Sequence, residues 1–281
     1  MKFLIRKAIP GLALAMAMVF SSAAVAQKGE GPLDKTQPAG ITPEQIIQKF
    51  AAKEKEFSEA RENYTWRQTV IVETLDGDTV DGEFKQVYDV LFDSKGRRTQ
   101  QVVFAPQNTL ERVTMTPSDF QDIENRLPFV MTTDDLPQYN VLYVGKQQED
   151  ELGTYVFDLA PKTMEKGKRY FQGRIWVDDH DFQIVKTQGL NVPQVHAKKA
   201  EDENLSPPFT TYREQVDGKY WFPTFTRADD TLHFRMNDVH IREIVKYENY
   251  KRYGANVKIT YEGQEVPKGT DQGQQKQPPP K

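Results

Sequence analysis

The stretch GRIWVDDHDFQIVKTQG, residues 173–189, is the part of the chain on which the prediction of the fold rests. Apolar and polar side chains alternate on both sides of its centre, with Ile175 and Val177 before it and Phe182 and Ile184 after it. The centre is the tetrapeptide DDHD, whose short polar residues are typical of a tight reversal. The stretch therefore predicts a β-hairpin, and we expect most of the chain to extend it as further antiparallel strands.

The same period-two alternation recurs along much of the chain, and one apolar face opposite one polar face indicates an antiparallel sheet. The apolar faces comprise Tyr64, Trp66, Val70 and Val72; Phe84, Tyr88, Val90 and Phe92; Val102 and Phe104; and Tyr155, Phe157 and Leu159. Later strands are predicted at residues 210–216, 220–226 and 232–247. In the last one the apolar side chains switch from even-numbered to odd-numbered positions. This switch predicts a bulge near Asn237 and Asp238 and hence a curved sheet.

A helix is predicted from residue 42 onward. Thr42 suits the N-cap, Pro43 the first helical position, and Gln45 completes a capping box. The side chains that follow at helical spacing form one apolar stripe, namely Ile46, Ile47, Phe50, Ala51 and Phe57. This stripe predicts a helix that packs on the sheet.

A second helix is predicted after residue 116, with Phe120, Ile123 and Leu127 on one face and Pro128 at its end. The apolar run 129–131 follows it. Two interpretations are open: an ordinary helix that covers the core, or a flap over the open face of the sheet.

The motifs of the hairpin resemble those of the outer-membrane lipoprotein-sorting proteins, the periplasmic lipoprotein carriers (LolA/LolB-like) and their relatives. The shared features are a glycine, an aliphatic-Trp-Val-Asp strand, a polar turn and a returning apolar strand. The stretch DGKYWFP, residues 217–223, is a second motif of this kind, and the resemblance covers roughly residues 42–261.

This resemblance implies a mainly β (α+β) fold, in which a curved antiparallel sheet forms a half-open barrel and helices cover a hydrophobic cavity. It implies a non-catalytic periplasmic carrier without a cofactor, which binds a lipid or the acyl chains of a lipoprotein. A membrane-anchored protein partner is a further expectation. The charged loop 193–208 and the Gln/Pro-rich end depart from the plain carrier, so the alternative is a sensor or structural interaction module of the same fold.

Eight residues are predicted to line the cavity or its lid, chosen by pattern alone. They are Trp66, Phe84, Tyr88, Phe120, Ile123, Leu127, Phe129 and Met131. Aromatic side chains carry much buried area, and they serve equally well to fill a core or to line an apolar cavity.

Composition limits the class of protein. The chain has 281 residues, 37% hydrophobic and 28% charged, which is enough for one sizeable core. The net charge of −4 argues against nucleic-acid binding and against a general attraction to anionic lipid. The absence of cysteine excludes disulfides, a thiolate metal site and a cysteine nucleophile.

The two ends are predicted to lie outside the folded domain. Residues 1–26 have the basic start, apolar middle and small-x-small end of a cleaved signal peptide, which predicts export to the periplasm. An uncleaved anchor is the alternative, but the apolar run is shorter than the ~20 residues of a bilayer span. Residues 27–40 are predicted as a disordered leader, 41–263 as the carrier-like domain, and 264–281 as a disordered tail.

No pattern in the sequence indicates catalysis. The turn at residues 178–181 holds three carboxylates and His180, which could bind a divalent cation or serve a hydrolase, but these are also ordinary turn residues. His233 and His240 on one predicted strand would lie ~23 Å apart, too far to share a metal. There is no nucleophile elbow, P-loop or zinc-protease motif. We therefore expect neither an enzyme nor a metal site.

Overall fold

The computed structural model describes residues 31–93, 97–125, 128–196, 203 and 205–253. The predicted signal peptide, residues 1–26, and the predicted tail, residues 264–281, lie outside them. The elements are α1 (Pro43–Arg61), β1 (Tyr64–Asp76), β2 (Thr79–Phe92), β3 (Arg98–Phe104), α2 (Pro117–Asn125), a short 3-10 turn (Leu136–Gln138), β4 (Tyr139–Glu149), β5 (Leu152–Pro161), β6 (Tyr170–Asp178), β7 (Ile184–Val192), β8 (Phe209–Val216), β9 (Tyr220–His233) and β10 (Asp238–Arg252).

The ten strands form one antiparallel sheet in the order β3-β2-β1-β10-β9-β8-β7-β6-β5-β4. Every pair of neighbouring strands is consecutive in the chain except β1 and β10, whose pairing joins the first strand to the last. The sheet is not closed, because β3 and β4 stand at opposite ends of this order. The predicted fold class, a curved antiparallel sheet that forms a half-open barrel with covering helices, is confirmed.

The predicted hairpin is β6–β7. The reversal is closed by the Asp178 N–H, which donates to the carbonyl of Gln183 at 2.9 Å, and the Asp178 carboxylate accepts from the N–H groups of His180 and Asp181. Gly173 and Gly189 at its two ends pair directly across the strands. A Cβ on Gly173 would lie 2.2 Å from a backbone oxygen of β7, so this close approach requires glycine.

The predicted bulge near Asn237 and Asp238 is wrong. The chain reverses there, because β9 ends at His233, β10 begins at Asp238, and these two residues pair across the new hairpin. A switch of the apolar side chains from even-numbered to odd-numbered positions is expected for a bulge, and it is also expected for a short turn between two strands. The predicted ~23 Å between His233 and His240 is also wrong, since His240 pairs with Thr231 on the opposite arm.

The two ends of the sheet also differ from expectation. The apolar face predicted for Val102 and Phe104 is not covered: these side chains on β3 are 54% and 51% exposed. At the other end, Gly31 and Asp34 make three backbone hydrogen bonds of 2.7–2.8 Å to β4. Gly31 and Asp34, within the stretch 27–40 that was predicted as a disordered leader, therefore pair with the sheet edge, and residues 27–30 lie outside the described residues.

Helix α1 covers the inner face of the sheet. Its predicted capping box is present, with the Gln45 N–H donating to Thr42 Oγ1 and the Thr42 N–H donating to Gln45 Oε1. Phe50 contacts Phe157 of β5, and Phe57 packs edge-on against Phe222 of β9. Within the described residues, the structure contains no helix with the length and apolarity needed to cross a bilayer.

Candidate functional site

Helix α2 and the coil before it lie over the other half of the inner face. The side chain of Thr116 and its N–H both donate to Asp119 Oδ2 at 2.7 Å, which fixes the first turn of the helix. Phe120 of α2 meets Phe84 of β2 edge-on, with ring centres 5.7 Å apart. Aromatic contact therefore attaches α2 to the sheet on this side.

A buried polar cluster attaches α2 on the opposite side. Asp122 accepts a hydrogen bond of 3.0 Å from Asn191 Nδ2 on β7, and its carboxylate lies 3.3 Å from the guanidinium of Arg169. All three side chains are almost completely buried. A buried carboxylate with a cation and an amide donor is well satisfied, so this cluster fixes the position of the helix.

Between these attachments a cavity remains. Its volume is about 630 Å³, which falls within the roughly 300–1,000 Å³ of small-molecule sites. It lies between α2, the coil 111–116, the coil 205–207 and the β9–β10 hairpin. Its apolar wall includes Val72, Val113, Met115, Ile123, Leu232 and Ile241, and Met236 on the hairpin is 81% exposed. The described part of the inner face is thus largely filled by the core, and this part of it is hollow.

Glu243 of β10 gives the cavity its main electrostatic feature. Its Oε1 is buried and has no hydrogen-bond partner among the described residues. Burial raises the pKa of its carboxyl to about 7, and the nearby Asp119 adds to this shift by like-charge repulsion. Near neutral pH this carboxyl therefore lies close to the midpoint of its titration.

A second acceptor on the cavity wall is also unsatisfied. Asn191 is 1% exposed, and while its Nδ2 donates to Asp122, its Oδ1 has no partner among the described residues. Two other charged groups on the wall are occupied: Arg112 pairs with Asp81 at 2.8 Å, and Glu203 accepts from a backbone N–H at 3.0 Å. Glu243 and Asn191 thus each offer a buried acceptor that can receive a donor from a ligand.

The predicted cavity residues divide between the cavity and the core. Ile123 lines the cavity. The other described ones pack elsewhere: Trp66, Tyr88, Phe129 and Met131 are buried in the main hydrophobic cluster, and Phe84 and Phe120 contact each other at its margin. Leu127 lies outside the described residues. Whether any of the eight touches a ligand stays a prediction.

The residues that sequence reasoning missed include Glu243 and Asn191. A signal for Glu243 was available, because its position in the alternation places it on the same face of β10 as Val239, Ile241 and Val245, which are buried. A carboxylate at an inward position of an otherwise apolar strand face is unusual. Asn191 gave no such signal, since nearly every residue of β7 is buried.

The turn residues considered for a metal do come together. Ligand atoms of Asp178, Asp179 and His180 lie within 4.8 Å of one another. However, Asp178 already receives two backbone N–H groups, Asp179 lies 3.4 Å from the ammonium of Lys146, and the His180 side chain is 88% exposed. The requirements of the turn account for this cluster, so it gives no separate support for a metal site.

Comparison with known proteins adds distant structural neighbours. No family profile matches the chain, and no curated protein matches it. Solved structures similar to it include a DUF1329 family protein from Desulfovibrio piger, with 15% identity, coverage of 74% of this chain and 92% of that one, and a TM-score of 0.36. A LolA superfamily protein from Nitrosomonas europaea has 15% identity, 75% and 94% coverage, and a TM-score of 0.33. MucB has 10% identity, 73% and 92% coverage, and a TM-score of 0.25.

Proposed function

We propose that this protein is a non-catalytic periplasmic binding protein, which holds the alkyl chain of a lipid or of a lipoprotein in the cavity beneath α2. The observation that supports this most is the cavity itself, about 630 Å³ in volume and walled by aliphatic side chains from β1, β9, β10 and α2. Burial of an alkyl chain there contributes about 0.8 kcal/mol per methylene group, so a chain of moderate length suffices for stable binding.

The coil before α2 and the β9–β10 hairpin form the movable part of this site. Val113 and Met115 belong to a segment without regular structure, and Met236 stands exposed at the rim. Methionine is flexible and adapts to differently shaped apolar ligands. A ligand therefore enters by displacement of the coil and the hairpin tip, while the sheet stays fixed.

The test is native mass spectrometry of the protein purified from its own periplasm without detergent. We expect a mature mass that begins at Gln27, together with a lipid-sized adduct that is lost on denaturation. Val113→Trp fills the cavity from the coil and should abolish the adduct, whereas Val80→Trp, at a site 41% exposed on β2, should keep it. A bare mass, with no uptake of an uncharged fluorescent alkyl probe, would contradict the proposal.

A second candidate function is a protein-interaction module, and β3 favours it. Every residue of this terminal strand is exposed, including Val102, Val103 and Phe104, and β3 has one strand neighbour among the described residues. An exposed apolar edge strand is a template for the addition of another strand. The partner in this case is an extended segment of a membrane-anchored protein.

A further inference from the structure

The polar side of the cavity is acidic, although the proposed ligand class includes anionic lipids. Five carboxylate residues line it: Glu111, Asp119, Asp122, Glu203 and Glu243. Of the described residues on the wall, one is basic, Arg112, and the carboxylate of Asp81 holds it. An anionic headgroup would therefore meet like charges in a site of low dielectric, where repulsion is strong.

Two buried acceptors on this wall receive no donor from the part of the chain that the structure describes. They are Oε1 of Glu243 and Oδ1 of Asn191, the latter on a side chain that is 1% exposed. A buried acceptor without a partner destabilises the folded protein, and a ligand that supplies the donor removes this penalty. Glu243 and Asn191 line the same cavity as the aliphatic side chains, so one molecule with a polar head and an apolar tail can contact both kinds of group.

We propose that the ligand of this cavity is a cationic amphiphile, with a protonated amine that donates to Glu243 and Asn191 and an alkyl chain that packs against the aliphatic wall. This inference rests on the proposed function, because it assigns a headgroup to the same site. An ammonium group has three donors and no acceptor, which matches two acceptors that receive no donor from the described residues. A bound ammonium would favour the ionised form of Glu243 and so lower the pKa that burial raises.

The experiment compares decylamine, decanoate and decanol, which share one chain length and differ in headgroup charge. Their binding to the full mature protein is measured by titration calorimetry at physiological ionic strength. We expect decylamine to bind at one site about tenfold or more tightly than decanoate, with decanol between them. Glu243→Gln should weaken decylamine about tenfold and leave decanol unchanged, which also shows that the cavity is intact.

Glu248→Gln is the matched control, because Glu248 is an exposed glutamate on the same strand. It should leave all three affinities unchanged. An equal loss in both variants would mean that the net negative charge of the protein attracts the amine, and the inference would be overturned. Equal binding of decylamine and decanoate would overturn the inference and leave the proposed function standing. If none of the three binds, the proposed function itself fails.

Discussion

At the scale of single residues, two charged side chains occupy inward positions of the sheet and are stabilised differently. Arg213 on β8 is 4% exposed, and Glu54 and the carbonyl of Phe129 both accept from it. Glu243 on β10 has one carboxylate oxygen that receives no donor from the described residues. A satisfied buried pair is compatible with a structural role, whereas an unsatisfied acceptor that lines a cavity indicates a site for a ligand.

Stability should depend on pH through Glu243. The pKa of its carboxyl is raised from the usual 4.5 to about 7 in the folded state, so the folded protein binds the proton more tightly than the unfolded chain. The contribution of Glu243 to the free energy of unfolding is therefore greatest below pH 4.5, and this contribution falls as the pH rises towards about 7. The full shift corresponds to at most about 3 kcal/mol.

Glu243→Gln removes this dependence. At pH ~8 we expect the variant to have a free energy of unfolding about 1–3 kcal/mol higher than that of the wild type, and therefore to unfold at a higher urea concentration. At pH ~4.5 the two proteins should have the same free energy of unfolding. Urea unfolding curves at the two pH values, with Glu248→Gln as the control, provide the measurement. If the free energy of unfolding changed with pH by the same amount in the wild type and in the variant, Glu243 would not be protonated more readily in the folded state.

At the scale of elements, α1 is attached by two kinds of contact. Phe50 and Phe57 pack into the sheet, and between them Glu54 forms a bidentate ion pair with Arg213, at N–O distances of 2.8 and 3.2 Å. Both charged side chains are at most 1% exposed. Such a pair contributes little beyond an apolar replacement, but the loss of one partner leaves a buried charge.

Glu54→Ala should therefore lower the free energy of unfolding by about 3–5 kcal/mol. The double variant Glu54→Leu with Arg213→Met should lose much less, since it leaves no charge unpaired. Glu56→Ala is the matched control on the same helix, because Glu56 forms an exposed pair with Lys53 and should cost under about 1 kcal/mol. Urea unfolding measures all three, and a cost for Glu54→Ala as small as that of Glu56→Ala would contradict the role of the pair.

At the scale of the whole molecule, the open sheet has two unlike ends. The chain's own residues 31–34 pair with β4, and the isolated bridge between Asp34 and Lys146 belongs to this contact. The β3 end carries three exposed apolar side chains instead. Terminal strands are usually covered, shortened or charged, so the difference between the ends is consistent with a partner at β3.

A photo-crosslinking residue at Gln101 of β3 should, on the interaction-module hypothesis, capture one protein of defined mass in the periplasm. The same residue at Leu142 of β4, which is 66% exposed, should capture none. Val103→Lys, combined with the photo-crosslinking residue at position 101, should abolish the crosslinked product, because a lysine on an edge strand opposes strand addition. A product that forms equally from both positions would rule out a specific partner strand at β3.

The sequence by itself determined the local elements of this protein. Capping at Thr42, the turn after Asp178 and the alternation along β1 follow from neighbours in the chain, so they could be predicted without the fold. The remaining features depend on tertiary packing. The reversal between β9 and β10 depends on which strands pair, and the cavity exists because residues far apart in sequence, such as Val72, Ile123 and Leu232, enclose a space that none of the described side chains fills. Burial of Glu243 is likewise a property of that packing, since the desolvation that raises its pKa comes from the elements assembled around it.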